Sequence, residues 1–201
     1  NFSLIGNQLY FTVGLKYNNS ELWRSDGTAS GTFAISDPLD GVGADPRGTF
    51  HPSHFVAFNG DLYFIARSGV FPNVHSGLVK ATGDVGGTVA IKRFHDGTIA
   101  RYGEAFTHNN KMYFTFFQPT ENRFFIAESD GTTENTTIIF DETYTTNFSP
   151  SRVLADGNYF YFTVANGDGG TSLVRFDIAN RSIEDVIGSV LGPYTQRPSF
   201  I

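Results

Sequence analysis

The chain contains no cysteine, which excludes disulfides and thiolate metal sites and leaves packed apolar surface as the source of its stability. No apolar run approaches the roughly 18 residues of a membrane-crossing helix, so no membrane insertion is expected. Positive charge is scarce: 14 Lys plus Arg stand against 20 Asp plus Glu, for a net charge of −6, and the basic residues are spread singly. Such a distribution offers no basic stripe to a phosphate backbone, and no nucleic-acid partner is expected. Sustained helical periodicity is missing as well. So is a Gly-x-Ser-x-Gly nucleophile turn, and with Cys absent there is no motif for nucleophilic hydrolysis. No motif points to a cofactor.

What is plentiful is phenylalanine, at 21 residues, with 9 Tyr and 22 Gly. These residues repeat. An apolar residue followed by Tyr-Phe recurs at Leu9-Tyr10-Phe11, Leu62-Tyr63-Phe64, Met112-Tyr113-Phe114 and Phe160-Tyr161-Phe162, at intervals of about 50 residues. A short apolar stretch and a tight-turn pair precede each one: Gly6-Asn7, Asn59-Gly60, Asn109-Asn110 and Asp156-Gly157. Two apolar runs divided by such a pair read as a β-hairpin, because both residue types accept the positive φ that the turn demands. A third run follows at Glu21–Ser25, Ser76–Ala81, Arg123–Ser129 and Thr171–Phe176, then a second turn. That turn is Asp26-Gly-Thr or Asp130-Gly-Thr, with Thr82-Gly-Asp84 and Asp177-Ile-Ala-Asn180 in the other two units. A fourth run closes each unit at Thr32–Ser36, Thr88–Lys92, Thr137–Phe140 and Ser182–Ile187.

Four-stranded antiparallel units of about 50 residues in tandem predict an all-β chain, a β-propeller of four blades. The blades are expected at about 1–53, 54–104, 105–152 and 153–201 within a single domain. Glu21-Leu-Trp-Arg-Ser-Asp-Gly-Thr-Ala-Ser-Gly-Thr32, together with Phe58-Asn-Gly-Asp-Leu-Tyr-Phe64, resembles the ELWxSDGTxxGT repeat of large secreted and cell-surface bacterial proteins. That resemblance implies propeller blades and an extracellular or cell-surface location. It carries over no catalytic residue, and the tryptophan position holds Val79, Ala127 and Val174 in the later units. The chain opens at Asn1 in phase with the repeat and closes on Arg197-Pro-Ser-Phe-Ile201, which matches His51-Pro-Ser-His-Phe-Val56 at the entry to an inner strand. It therefore reads as an excised or processed piece, either closing as a four-blade ring or forming part of a longer array.

Loops on a rigid scaffold are where ligands are expected. The long ones are 37–53, 93–104, 141–152 and 188–199, with 14–20, 67–75, 118–122 and 166–170 beside them. His51 and His54, with His75 and Asp45, suggest a metal or acid–base cluster, against which Pro52 and Ser53 read as a mere strand entry. Arg47, Arg101, Arg152 and Arg197, with Tyr102 and Tyr194, suggest a ligand-binding set for a glycan or a protein, and three of those arginines predict a ring of cations. The other expectation for these aromatics is blade-to-blade packing. Asp26, Asp130 and the 166–171 segment lack the alternating oxygens of a calcium loop and read as turns. Paired carboxylates for glycoside chemistry could come from Asp45, Glu104, Asp141 and Glu142. The leading expectation is a non-catalytic recognition, adhesion or assembly module whose partners are a glycan, a protein, further repeats or copies of the chain. The alternative is a carbohydrate-active propeller enzyme. Asn1, Asn18, Asn135, Asn147 and Asn180 begin glycosylation sequons.

Overall fold

A computed structural model of the protein describes residues 2–14, 20–35, 51–68, 75–84, 87–96, 101–118, 121–143, 150–165 and 171–187. All regular structure there is strand, in four sheets of four. Blade 1 comprises β1 (Phe2–Ile5), β2 (Gln8–Gly14), β3 (Ser20–Ser25) and β4 (Phe33–Ile35). Blade 2 comprises β5 (Ser53–Phe58), β6 (Asp61–Ser68), β7 (His75–Ala81) and β8 (Thr88–Asp96). Blade 3 holds β9 (Arg101–His108), β10 (Lys111–Gln118), β11 (Arg123–Ser129) and β12 (Thr137–Thr143). Blade 4 holds β13 (Pro150–Asp156), β14 (Tyr159–Ala165), β15 (Thr171–Asp177) and β16 (Ser182–Ile187). Each sheet is a meander in sequence order, the all-β architecture expected from the repeat.

The turns follow the local chemistry. Asn59 and Gly60 have φ of 51° and 84°, and Asn109 and Asn110 have 45° and 57°, so both pairs make the twist-matched hairpin turn with two positive φ values. The Ser-Asp-Gly-Thr turns of blades 1 and 3 are built alike. Asp26 Oδ1 accepts from the Thr28 amide at 2.9 Å and its hydroxyl at 2.7 Å, and Asp130 Oδ1 accepts from Thr132 at the same two distances. Ser25 and Ser129 each take the following glycine amide at 3.0 Å and reach the closing threonine, Thr32 or Thr136, at 2.6 and 2.7 Å. These aspartates spend their oxygens on their own turn, in keeping with the turn reading rather than a calcium loop. Their carboxyls are held below the usual range, first by the threonine hydroxyl.

The chain divides into two compact units. The first contains blades 1 and 2 with the Asn110–Met112 and Ser129–Thr136 turns of blade 3, and the second contains the rest of blade 3 with blade 4. Strand alternation sorts the repeated motif between two faces. In the first unit Tyr10, Leu22 and Ile35 of blade 1 pack with Leu62, Phe64, Ala66, Val79 and Ala81 of blade 2. In the second, Tyr113, Phe117, Phe124, Ile126, Ile139 and Phe140 pack with Phe160, Phe162, Val164, Val174 and Phe176 of blade 4. The motif tyrosine of blades 1 and 3 thus faces the following blade, while the two apolar neighbours of the tyrosine in blades 2 and 4 face the preceding one. Phe160 lies at the centre of the second core, 4.6 Å from the Tyr113 ring, 4.9 Å from Phe106 and 5.9 Å from Phe176. Burial of the Tyr113 phenol pushes its pKa up to about 12.

Several residues expected in loops lie in strands instead. His75 opens β7, and Arg101 and Tyr102 open β9, so most of the expected loop 93–104 belongs to β8 and β9. Asp141 and Glu142 sit in β12. The ladder continues because His75 and Ser76 find register partners in Asp96 and His95, and each added pair satisfies backbone groups that a loop would leave to water.

Candidate functional site

Each blade has one end made by its two outer turns and an opposite end where the polypeptide enters and leaves. The described site candidates all sit at the second end of their own blade: His51 before β5, His54 within it, His75 at the start of β7, Arg101 and Tyr102 at the start of β9, and Arg152 in β13. Arg47, Tyr194 and Arg197 lie outside the described residues, as does Asp45, and so the expected ring of three arginines reduces to Arg152 and the backbone position of Arg101.

His54 and Arg152 share an unusual backbone. Their φ values are 56° and 48°, and among the described residues they are the non-glycines that hold positive φ inside a strand rather than a turn. Both sit at a register slip, between Ser53 and Val56 against β6 and between Ser151 and Val153 against β14. Each slip is a β-bulge, which kinks the strand and re-aims one side chain. The parallel between His51-Pro-Ser-His54 and Ser149-Pro-Ser-Arg152 was legible in the sequence; that its last residue is the bulge was not. His54 Nδ1 lies 2.9 Å from Ser53 Oγ, and the Ser53 hydroxyl donates to the Ile65 carbonyl at 3.3 Å. His51 Nδ1 lies 3.4 Å from Ser20 Oγ. Both imidazoles therefore meet serine hydroxyls, and no group of three His, Asp or Glu among the described residues is placed to hold a metal. Arg152 is exposed.

The carboxylates arrange differently from the expected pairs. Asp141 and Glu142 are consecutive in β12 and point to opposite faces, which removes them as a mutual pair. Arg123 clamps Asp141 from β11 with Nε at 2.6 Å and Nη2 at 2.5 Å, while Glu121 stands 3.8 Å away. Glu121 in turn accepts from Gln118 Nε2 at 2.7 Å. This ion-paired corner at the entry end of blade 3 escaped sequence reasoning. It is a diagonal cross-strand pair, since Arg123 is opposite Thr143 and Asp141 is two residues along, so only the register finds it. Burial, and then neighbouring Asp141, raise the Glu142 carboxyl above its usual range. Glu104 is exposed, and its backbone amide donates to Thr115 Oγ1 at 2.7 Å. Two sequon asparagines are engaged: Asn135 Nδ2 donates to Asp130 at 2.7 Å and Asn180 Nδ2 to Asp177 at 2.9 Å.

No family model and no curated protein matches the chain. Solved structures match its fold. An exo-β-1,3-galactanase from Clostridium thermocellum superposes with a TM-score of 0.56 at 11% identity, over 92% of this chain and 47% of its own. The exo-β-1,3-galactanase of Phanerochaete chrysosporium, solved with galactose, gives 0.53 at 15% identity over 94% and 50%. A prolyl endopeptidase gives 0.56 at 11% over 93% and 29%. The chain thus spans about half the length of the galactanases. A glycosidase and a peptidase at similar scores share an architecture and not a chemistry. The four sheets are blades of a β-propeller.

Proposed function

We propose that the chain is a non-catalytic recognition module that binds a glycan or a protein at the entry ends of its blades. The paired bulges carry this reading. One backbone device, at the same place in two blades, presents an imidazole in one and a guanidinium in the other. A non-glycine residue at positive φ costs about 1–2 kcal/mol, a strain that structures retain where the displayed side chain has a use. An imidazole and a guanidinium each suit hydroxyl and carboxylate groups, such as those of an acidic sugar or an acidic peptide. An extracellular or cell-surface setting follows from the resemblance of the Glu21–Thr32 segment to secreted repeats.

Glycan and peptide arrays probed with the intact chain test this. The expected result is a defined set of ligands that His54→Gly and Arg152→Gly each weaken, with the fold intact by circular dichroism. Binding that both variants retain in full would reject the bulges as the site.

A carbohydrate-active enzyme is the second reading, favoured by the shared fold of two exo-β-1,3-galactanases and by the raised Glu142 carboxyl. Incubation with β-1,3-galactan and related polysaccharides, read by release of reducing ends, decides it. Hydrolysis abolished by Glu142→Gln would establish this reading and displace the first.

A further inference from the structure

We infer that the face of blade 1 turned away from blade 2 is a docking surface for blade 4 of a second copy of the chain. The template is the interface already inside the molecule. On blades 2 and 4, the residues turned toward the preceding blade are sealed: Leu62, Phe64, Ala66 and Val79 are 0% exposed, and so are Phe160, Val164 and Val174. The register puts Leu9, Phe11, Val13 and Trp23 at the same places on blade 1, with Phe11 opposite Trp23 as Phe64 is opposite Val79 and Phe162 opposite Val174. On blade 1 all four are only half-buried. Phe2, stacked on Phe11 at 6.2 Å, is 76% exposed, and Leu4 beside it 68%. This is an aromatic sheet face of the kind the fold buries elsewhere.

The complementary half is carried by blade 4. Tyr10, Tyr63 and Tyr113, which face the following blade, are 7%, 5% and 2% exposed, whereas Tyr161 is only half-buried. Leu154 is opposite Tyr161 in the ladder and is 68% exposed, while Val56, opposite Tyr63, is 4% exposed.

The turn glycines show what the tyrosine receives. Gly83, Gly131 and Gly27 hold the same conformation, with φ of 88°, 96° and 92°. A Cβ on Gly83 would lie 3.2 Å from the Tyr10 hydroxyl of the preceding blade, and a Cβ on Gly131 would overlap the Tyr63 hydroxyl. Around Gly27 nothing stands within 4 Å. Arg24, the register partner of Tyr10, donates Nη1 to the Gly83 carbonyl. Arg175 is the register partner of Tyr161 and stacks over Tyr159 at 4.5 Å, so it holds Arg24's place on blade 4. Its Nε and Nη2 hold Glu184 Oε2 at 2.9 and 2.8 Å, so the Gly27 carbonyl would take Nη1, the atom that Arg24 gives to Gly83, with the Asp26 carboxylate next to it. Blade 1 thus exposes apolar surface at Phe2 and Leu4, and blade 4 at Leu154. Such head-to-tail contact is heterologous and propagates into a ring or a filament of chains. This inference is independent of any ligand at the bulges.

Sedimentation velocity across a concentration series tests it. The unaltered chain is expected to gain mass in steps of one chain as concentration rises. Phe2→Asp with Leu4→Asp blocks one half, and Leu154→Asp blocks the other. These side chains are largely solvent-exposed, so each variant keeps its sheet signature and melting midpoint. Each variant alone is expected to be monomeric, and an equimolar mixture to stop at the dimer, since it retains one intact pair of faces. A monomeric unaltered chain at every concentration overturns the proposal, whether its own blade 4 or a further repeat covers blade 1. So does a mixture that stays monomeric, or a variant that self-associates like the parent.

Discussion

Replacing Arg152 with glycine should stabilise the protein, and replacing it with alanine should not. At an ordinary strand position glycine is worse than alanine by about 0.5–1 kcal/mol, because the unfolded chain gains freedom. At φ of 48° the balance reverses. A residue with a Cβ loses about 1–2 kcal/mol there, which glycine does not. The difference leaves Arg152→Gly ahead of Arg152→Ala by about 0.5–1 kcal/mol. For a chain of this length that is a shift of roughly 1–4 °C in melting midpoint. Arg152 is exposed, so removing its side chain costs little by itself and alanine should match the parent. Urea unfolding and thermal scans of parent, alanine and glycine proteins give the order directly. His54→Gly should gain less, because it also surrenders the contact with Ser53 at 2.9 Å. An alanine variant as stable as the glycine variant, or more so, would refute the strain at the bulge and with it the ground for treating these positions as a functional display.

Phe160→Ala empties the centre of the second core and should cost about 3–5 kcal/mol, lowering the melting midpoint by ~10 °C in a thermal scan. Gly131→Ala should be worse than Gly27→Ala by about 1–3 kcal/mol in dilute solution, since both share the positive φ but only the first meets a tyrosine hydroxyl. In alkali the buried Tyr113 phenol keeps its proton up to about 12 while the unfolded phenol ionises near 10.0, so its contribution is complete below 10 and is lost as pH rises through 12. Spectrophotometric tyrosinate titration should show this late phenol, and Tyr113→Phe should remove it. In acid the sign reverses for Asp26, Asp130 and Asp177: their carboxyls sit below 3.8, and the stability they add above that value is lost as pH falls through the depressed ones. Asn at all three positions should flatten the acid limb of the unfolding curve.

The sequence by itself determined the repeat unit, the order of its strands and the chemistry of its turns. Those depend on contacts a few residues apart: alternation in Leu-Tyr-Phe, positive φ at Asn59-Gly60, and the Asp26 carboxylate reaching Thr28. Even the equivalence of His54 and Arg152 could be read from Pro-Ser at the preceding positions. Register decided the rest. A one-residue slip turns a strand entry into a bulge, the pairing of β11 with β12 places Asp141 diagonally across from Arg123, and no local pattern announces either. Nor could the sequence separate Phe64 from Phe11, which occupy the same place in the same motif. Only the packed structure distinguishes them, because burial belongs to the neighbouring blade: Phe64 is sealed by blade 1, and Phe11 faces a side where the described structure leaves it half open.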